Sequence, residues 1–145
     1  MQSRVLGVDY GVRRIGVAVA DLQVRIASPL ATIAGRNDVT RDARAVADVG
    51  EAQSAGEYVV GLPVSMNDGE SDQTRLTRRF AGELERLSGR PVHLHDERLT
   101  TDAAHDVMDE AAVPRQKRKE LADRIAAQKI LQSWLDQAAP DSPGS

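Results

Sequence analysis

The chain has 145 residues, 41% hydrophobic and 28% charged, with a net charge of −3 and no cysteine. That length suits one domain on one core, and the missing cysteine excludes disulfides, thiolate zinc sites and cysteine nucleophiles. No apolar run approaches the roughly 20 residues of a membrane span and the N-terminus lacks a signal-peptide layout, so a cytoplasmic protein with no membrane partner is expected.

Residues 4–10 read as a buried strand ending on a carboxylate, Asp9. A tight turn through Gly11, Val12, Arg13 and Arg14 leads to a second strand at 15–20, and Asp21 opens another turn before a third strand at 25–33. Short turns joining three apolar segments predict an antiparallel meander. After a loop at 35–38, a helix is expected over 39–54, stopped by Gly56. Residues 57–62 are strand-like and Pro63 ends them. Ser71 can cap a helix reaching Ser88, with Gly89 as terminator. A fifth strand at 92–95 precedes a short helix at 102–110, a basic loop and a last helix at 116–137. Helix crossovers favour parallel pairing of the later strands, which predicts a mixed sheet with helices on its faces. Residues 1–137 are expected to form the single domain and 138–145 a frayed tail.

Three motifs carry chemistry. In Gly7-Val8-Asp9-Tyr10-Gly11, a carboxylate ends a central strand, where open sheets place their sites, and glycines let a phosphate-bearing ligand approach the backbone. The same Asp-x-Gly hairpin serves actin-like kinases and ATPases, so a phosphotransferase stays open at this point. In His93-Leu94-His95-Asp96-Glu97-Arg98-Leu99-Thr100-Thr101, neighbouring carboxylates on a strand cannot both face one site. One of Asp96 and Glu97 is expected to bind metal while the other caps or pairs, with Arg98 holding the Glu or touching a phosphate. His93 and His95 share a face and read as structural.

In the last helix, Asp123 falls on the same side as Ala126, Ala127, Ile130 and Trp134, the side that packs on the sheet. A carboxylate in an apolar stripe is costly unless paired or metal-bound. The plain alternative is a salt bridge to Lys119 or an arginine. Three carboxylates from two strand ends and a helix make an all-oxygen site, suited to Mg²⁺ or Mn²⁺ and able to hold two ions roughly 4 Å apart. Two basic runs, Arg13-Arg14 and Arg115-Gln116-Lys117-Arg118-Lys119, neighbour the first and third carboxylates. A basic run alone is usually a solvated surface, but placed here it can lay a polyanionic backbone across the ions.

With these motifs the sequence resembles the YqgF/RuvX family, relatives of the RuvC resolvase in the RNase H-like superfamily, over about residues 4–136. The pattern is Gly7-x-Asp9-x-Gly11-x-x-Arg14-Ile15-Gly16-x-Ala18-x-x-Asp21, Gly61-Leu62-Pro63 with Gly69, Asp96-Glu97-Arg98-x-Thr100-Thr101, and Asp123-x-x-Ala126-Ala127. The resemblance implies an α/β RNase H-like five-stranded mixed sheet, order 3-2-1-4-5 with strand 2 antiparallel, flanked by helices. It also implies catalytic, metal-holding acids at Asp9, Glu97 and Asp123, with Mg²⁺ or Mn²⁺ as cofactor. RuvC and RNase H carry an acid on the fourth strand where this chain has Gly61-Leu62-Pro63, so the Asp-Glu-Arg motif replaces it. Arg13, Arg14, Asn67, Arg98, Thr100, Lys117, Arg118 and Lys119 are the expected substrate-binding residues. The expected function is nuclease cleavage of structured nucleic acid, with maturation of the 5′ end of precursor 16S ribosomal RNA preferred. Resolution of four-way DNA junctions by a homodimer is the alternative, and a non-catalytic nucleic-acid scaffold a further one. One active site suffices for trimming RNA, so monomer and homodimer both stay open.

Overall fold

The computed structural model of the chain describes residues 3–64, 70–100 and 114–137. Its elements are β1 (Arg4–Asp9), β2 (Arg14–Asp21), β3 (Ser28–Ala34), α1 (Val39–Ala52), β4 (Ala55–Leu62), α2 (Asp72–Ser88), β5 (Val92–Asp96), a 3₁₀ turn at Glu97–Leu99, and α3 (Arg115–Gln137). The five strands form one sheet in the order β3-β2-β1-β4-β5. β2 runs antiparallel to β1 and β3, while β1, β4 and β5 are parallel, as the RNase H-like expectation required. The short helix expected at 102–110 lies outside the described residues.

Alternation along β1 divides the core into two layers. Leu6, Val8 and Tyr10 point to α1 and α2, packing with Val46, Phe80 and Leu84. Val5 lies in the layer covered by α3, with Ala127, Ile130 and Leu131. Gly7 also meets α3, since a Cβ there would lie 2.6 Å from the Leu131 Cβ. Asp9 follows the same alternation and faces α3.

The helix ends follow capping chemistry. Asp38 accepts from the Arg41 amide at the start of α1, and Ser71 accepts from the Thr74 amide at the start of α2. Gly89, at φ +71°, closes α2 as its position predicts. Gly56 does not stop α1. The chain leaves that helix at Gln53, turns on Ser54 at φ +58°, and has entered β4 by Ala55.

The third strand starts three residues later than the pattern indicates. Arg25 adopts φ +62°, and its amide donates to the Asp21 carbonyl. Side chains of α3 then take over the backbone groups of this turn. Gln132 accepts from the Ala27 amide and donates to the Arg25 carbonyl, and Gln128 donates to the Ala27 carbonyl. With those groups satisfied, the segment needs no strand partner.

Tyr10 clamps the end of β1. Its ring stacks on Phe80 with centroids 4.1 Å apart, and its hydroxyl donates to the fully buried Asp42 at 2.9 Å. Asp42 also accepts from the Arg36 amide, so this buried carboxylate joins the tip of β1 to the start of α1.

Candidate active site

The C-terminal edge of the central strand carries Asp9, and two neighbouring glycines make room around it. Gly16 pairs with Asp9 across the β1–β2 ladder. A Cβ on Gly16 would sit 2.0 Å from the Asp123 backbone oxygen and 3.1 Å from its Cβ, so glycine here lets α3 bring Asp123 against the sheet. Gly61 on β4 does the same for the third acid, since its Cβ would lie 3.0 Å from Glu97 Oε2 and 2.5 Å from Ile130 Cδ1.

Burial pushes the Asp9 carboxyl up to about 7, and the nearby charges of Glu97 and Asp123 push in the same direction. Those two influences identify the three carboxylates as one electrostatic cluster. Glu97 is also raised, first by burial and then by the charge of Asp96. Asp96 itself is lowered, because Arg98 binds it. Asp96 caps the 3₁₀ turn by accepting from the Arg98 amide at 2.8 Å, and its carboxylate takes the Arg98 guanidinium at 2.7 Å. The two adjacent acids therefore divide, with Asp96 ending β5 and capping the 3₁₀ turn that carries Glu97, and Arg98 pairs with Asp96.

Asp123 has a partner from the other end of the chain. Arg14 Nε donates to Asp123 Oδ2 at 2.6 Å. The salt bridge expected as the plain alternative for Asp123 is therefore made with an arginine, whereas Lys119 is exposed. Among the described residues, no three His, Cys, Asp or Glu side chains stand close enough to hold an ion as they are. Asp123 instead lies paired with Arg14. The donor chemistry nevertheless suits a hard cation. The set consists of oxygens, Asp9 is half-buried with no ion pair among the described residues, and two glycines keep a cradle open that methyl groups would fill.

The remaining expected substrate contacts are placed as follows. Arg13 is exposed in the β1–β2 turn, and Lys117 and Lys119 are exposed in the first turns of α3, with Arg118 half-buried between them. Thr100 closes the 3₁₀ turn through its amide to the Glu97 carbonyl. Its hydroxyl is buried with no hydrogen-bond partner among the described residues. Asn67 lies outside the described residues. The histidines are structural here: His93 contacts Glu57 at 2.7 Å and tilts against Trp134, and His95 contacts Ser133 at 2.9 Å.

Asp42 escaped the sequence reading, and an arginine partner for Asp123 was foreseen without its identity. Asp42 was detectable, because it shares an apolar stripe with Val46 and Gly50 at helical spacing. That the arginine is Arg14 had no local signal, since the partners lie 109 positions apart.

A five-stranded mixed sheet with an acidic cluster at the end of its central strand defines a protein of the RNase H-like class. Solved structures agree on the fold: Thermus thermophilus RuvC in complex with a Holliday junction substrate matches with a TM-score of 0.58 at 15% identity, over 91% of this chain and 92% of that one. The chain belongs to the RuvX family, described as "Holliday junction resolvase", whose model matches residues 3–137. Among its relatives, a protein of Rhodobacter capsulatus is 44% identical over 92% of this chain and 83% of its own length. One of Moorella thermoacetica is 41% identical over 92% of this chain and 94% of its own. Both are named "Putative pre-16S rRNA nuclease". Among the described residues, no helix is long and apolar enough to cross a membrane.

Proposed function

We propose that this chain is a cytoplasmic Mg²⁺- or Mn²⁺-dependent endonuclease that matures the 5′ end of precursor 16S ribosomal RNA, working as one domain over residues 1–137. The observation that carries the reading is the meeting of Asp9, Glu97 and Asp123 at one sheet edge, in a cradle kept open by Gly16 and Gly61. The names of its relatives support the substrate. Asp9, Glu97 and Asp123 are the residues that would hold the ions. When bound, such ions activate a water and stabilise the leaving oxygen of a phosphodiester.

The chain's own side chains set up the rest. Burial keeps Asp9 protonated until near-neutral pH, so the site gains its full anionic charge only at and above about 7. Arg14 neutralises Asp123 in the resting arrangement and is free to turn to a phosphate once that carboxylate takes another cation. Arg13, Lys117, Arg118 and Lys119 supply positive charge beside the cluster, and they position a backbone without reading bases. Arg98, Thr100 and Asn67 complete the proposed substrate set.

Arg14→Gln removes the competitor for Asp123. Mn²⁺ titrated into this variant by calorimetry is expected to bind several-fold more tightly than in wild type, while RNA binding weakens. Unchanged Mn²⁺ affinity would mean that Arg14 does not compete for the site.

The family description favours a second reading, resolution of DNA junctions. An end-labelled precursor 16S fragment and a four-way DNA junction, each offered with Mn²⁺ or Mg²⁺, separate the two. Cutting confined to the RNA supports the proposal. Paired symmetric nicks in the junction would replace it with a resolvase acting as a dimer.

A further inference from the structure

We infer that a second phosphate-binding track, built from Arg36, Arg41, Arg44 and Arg79, runs along the outer face of α1 and holds nucleic acid flanking the bond to be cut. This deepens the nuclease reading and rests on it for the identity of the polyanion. Two surface depressions meet at Thr40. One, of about 390 Å³, is lined by Tyr10, Val12, Asn37 and Arg79 among others. The next, of about 460 Å³, is lined by Arg36, Arg41 and Arg44 together with Asp48.

All four arginines are exposed, and none is in an ion pair among the described residues. The acids around them are largely committed elsewhere. Asp38 caps α1, Asp42 is buried on Tyr10 and the Arg36 amide, and Glu83 takes Arg86 and the Thr40 hydroxyl while also lying in the field of Arg79. Asp48 is left facing three arginines. Arg41 and Arg44 lie one turn apart on the same helix face, roughly 5 Å along the axis.

The track starts beside the acidic cluster but on the other face of the sheet. Asp9 faces α3, whereas Tyr10, the next residue, lines the first depression. The exposed Val12 and Arg13 follow in the β1–β2 turn, and Val12 lines the same depression, so a backbone crossing this turn would pass from Arg13 towards Arg79. Base stacking has little to offer on this surface. Tyr10, Tyr58 and Phe80 are buried and Trp134 packs against the core, which accounts for all four aromatic residues of the chain. Recognition here is therefore through phosphates and depends steeply on salt.

The test measures RNA binding against salt concentration in the full chain carrying Asp9→Asn, so that nothing is cut. A precursor 16S fragment is compared with one trimmed close to the cleavage position. Adding Arg41→Glu and Arg44→Glu is expected to weaken binding of the long fragment at least tenfold. It should also reduce the slope of log affinity against log salt by about 1.5. The trimmed fragment should lose far less, and the paired lysine variant, Arg41→Lys with Arg44→Lys, should keep the slope. An unchanged slope, or an equal loss on both fragments, overturns the track. Failure of the wild-type chain to cut RNA that it binds through these arginines would sink the nuclease reading and leave the track standing.

Discussion

Asp9→Asn is expected to lower cleavage on the order of a thousandfold or more while making the folded protein more stable at neutral pH. The activity loss follows from removing the most central anionic ligand of the proposed site. The stability gain follows from linkage. In the native state, burial and two neighbouring carboxylates raise the Asp9 carboxyl to about 7, against 3.8 for an unperturbed aspartate. Between those pH values the native protein binds more protons than the unfolded chain, so stability falls as pH rises through that window. Above pH 7 the cost is on the order of 4 kcal/mol as an upper bound. Asparagine keeps the shape and removes the charge. Thermal unfolding with a chelator present should give the variant a Tm several degrees above wild type at pH 8, with the gap closing towards pH 4. A variant that is less stable than wild type at pH 8 would show that Asp9 is not the strained anion described here.

Gly16→Ala is expected to be strongly destabilising and to disable the site. The added Cβ would meet the Asp123 carbonyl oxygen at 2.0 Å and the carbonyl carbon at 2.5 Å, both backbone atoms of a long helix that cannot swing aside like a side chain. The helix must move off the sheet, which costs about 3 kcal/mol or more and carries Asp123 away from Asp9. Denaturant midpoints and cleavage rates should fall together. Gly82→Ala provides the contrast, because nothing lies within 4 Å of its new Cβ and its place inside α2 predicts a gain of about 0.5–1 kcal/mol. If Gly16→Ala folded and cut like wild type, the close approach of α3 would not be what sets the site.

The contrast between these two glycines shows what could be read from the sequence. The mixed sheet, the caps of α2 and the carboxylates at Asp9 and Asp123 rest on local signals: alternation in β1, a serine and a glycine around α2, and a carboxylate in the apolar stripe of α3, whereas the strand order and the choice of Glu97 over Asp96 came from the family resemblance. The reason for Gly16 is not local. It depends on a helix that passes over β2 more than 100 residues later in the chain, and the same holds for Arg14 on Asp123. The late start of β3 has a similar origin, since Gln128 and Gln132 satisfy backbone groups that a strand would otherwise have to pair. The arginines at 36, 41, 44 and 79 look scattered along the sequence and become one surface only when α2 packs beside α1. The division of labour between Asp96 and Glu97 was legible in kind, but the arginine's choice of Asp96 required the geometry of the 3₁₀ turn.

The most direct measurement is calorimetric titration of Mn²⁺ into wild-type protein at pH 8, alongside Asp9→Asn and Asp123→Asn. Binding by wild type that is lost in both variants is the predicted result, because each removes one of the three carboxylates proposed to share the ions. Absence of binding, or binding that both variants retain, would contradict the assignment of this sheet edge as the metal site.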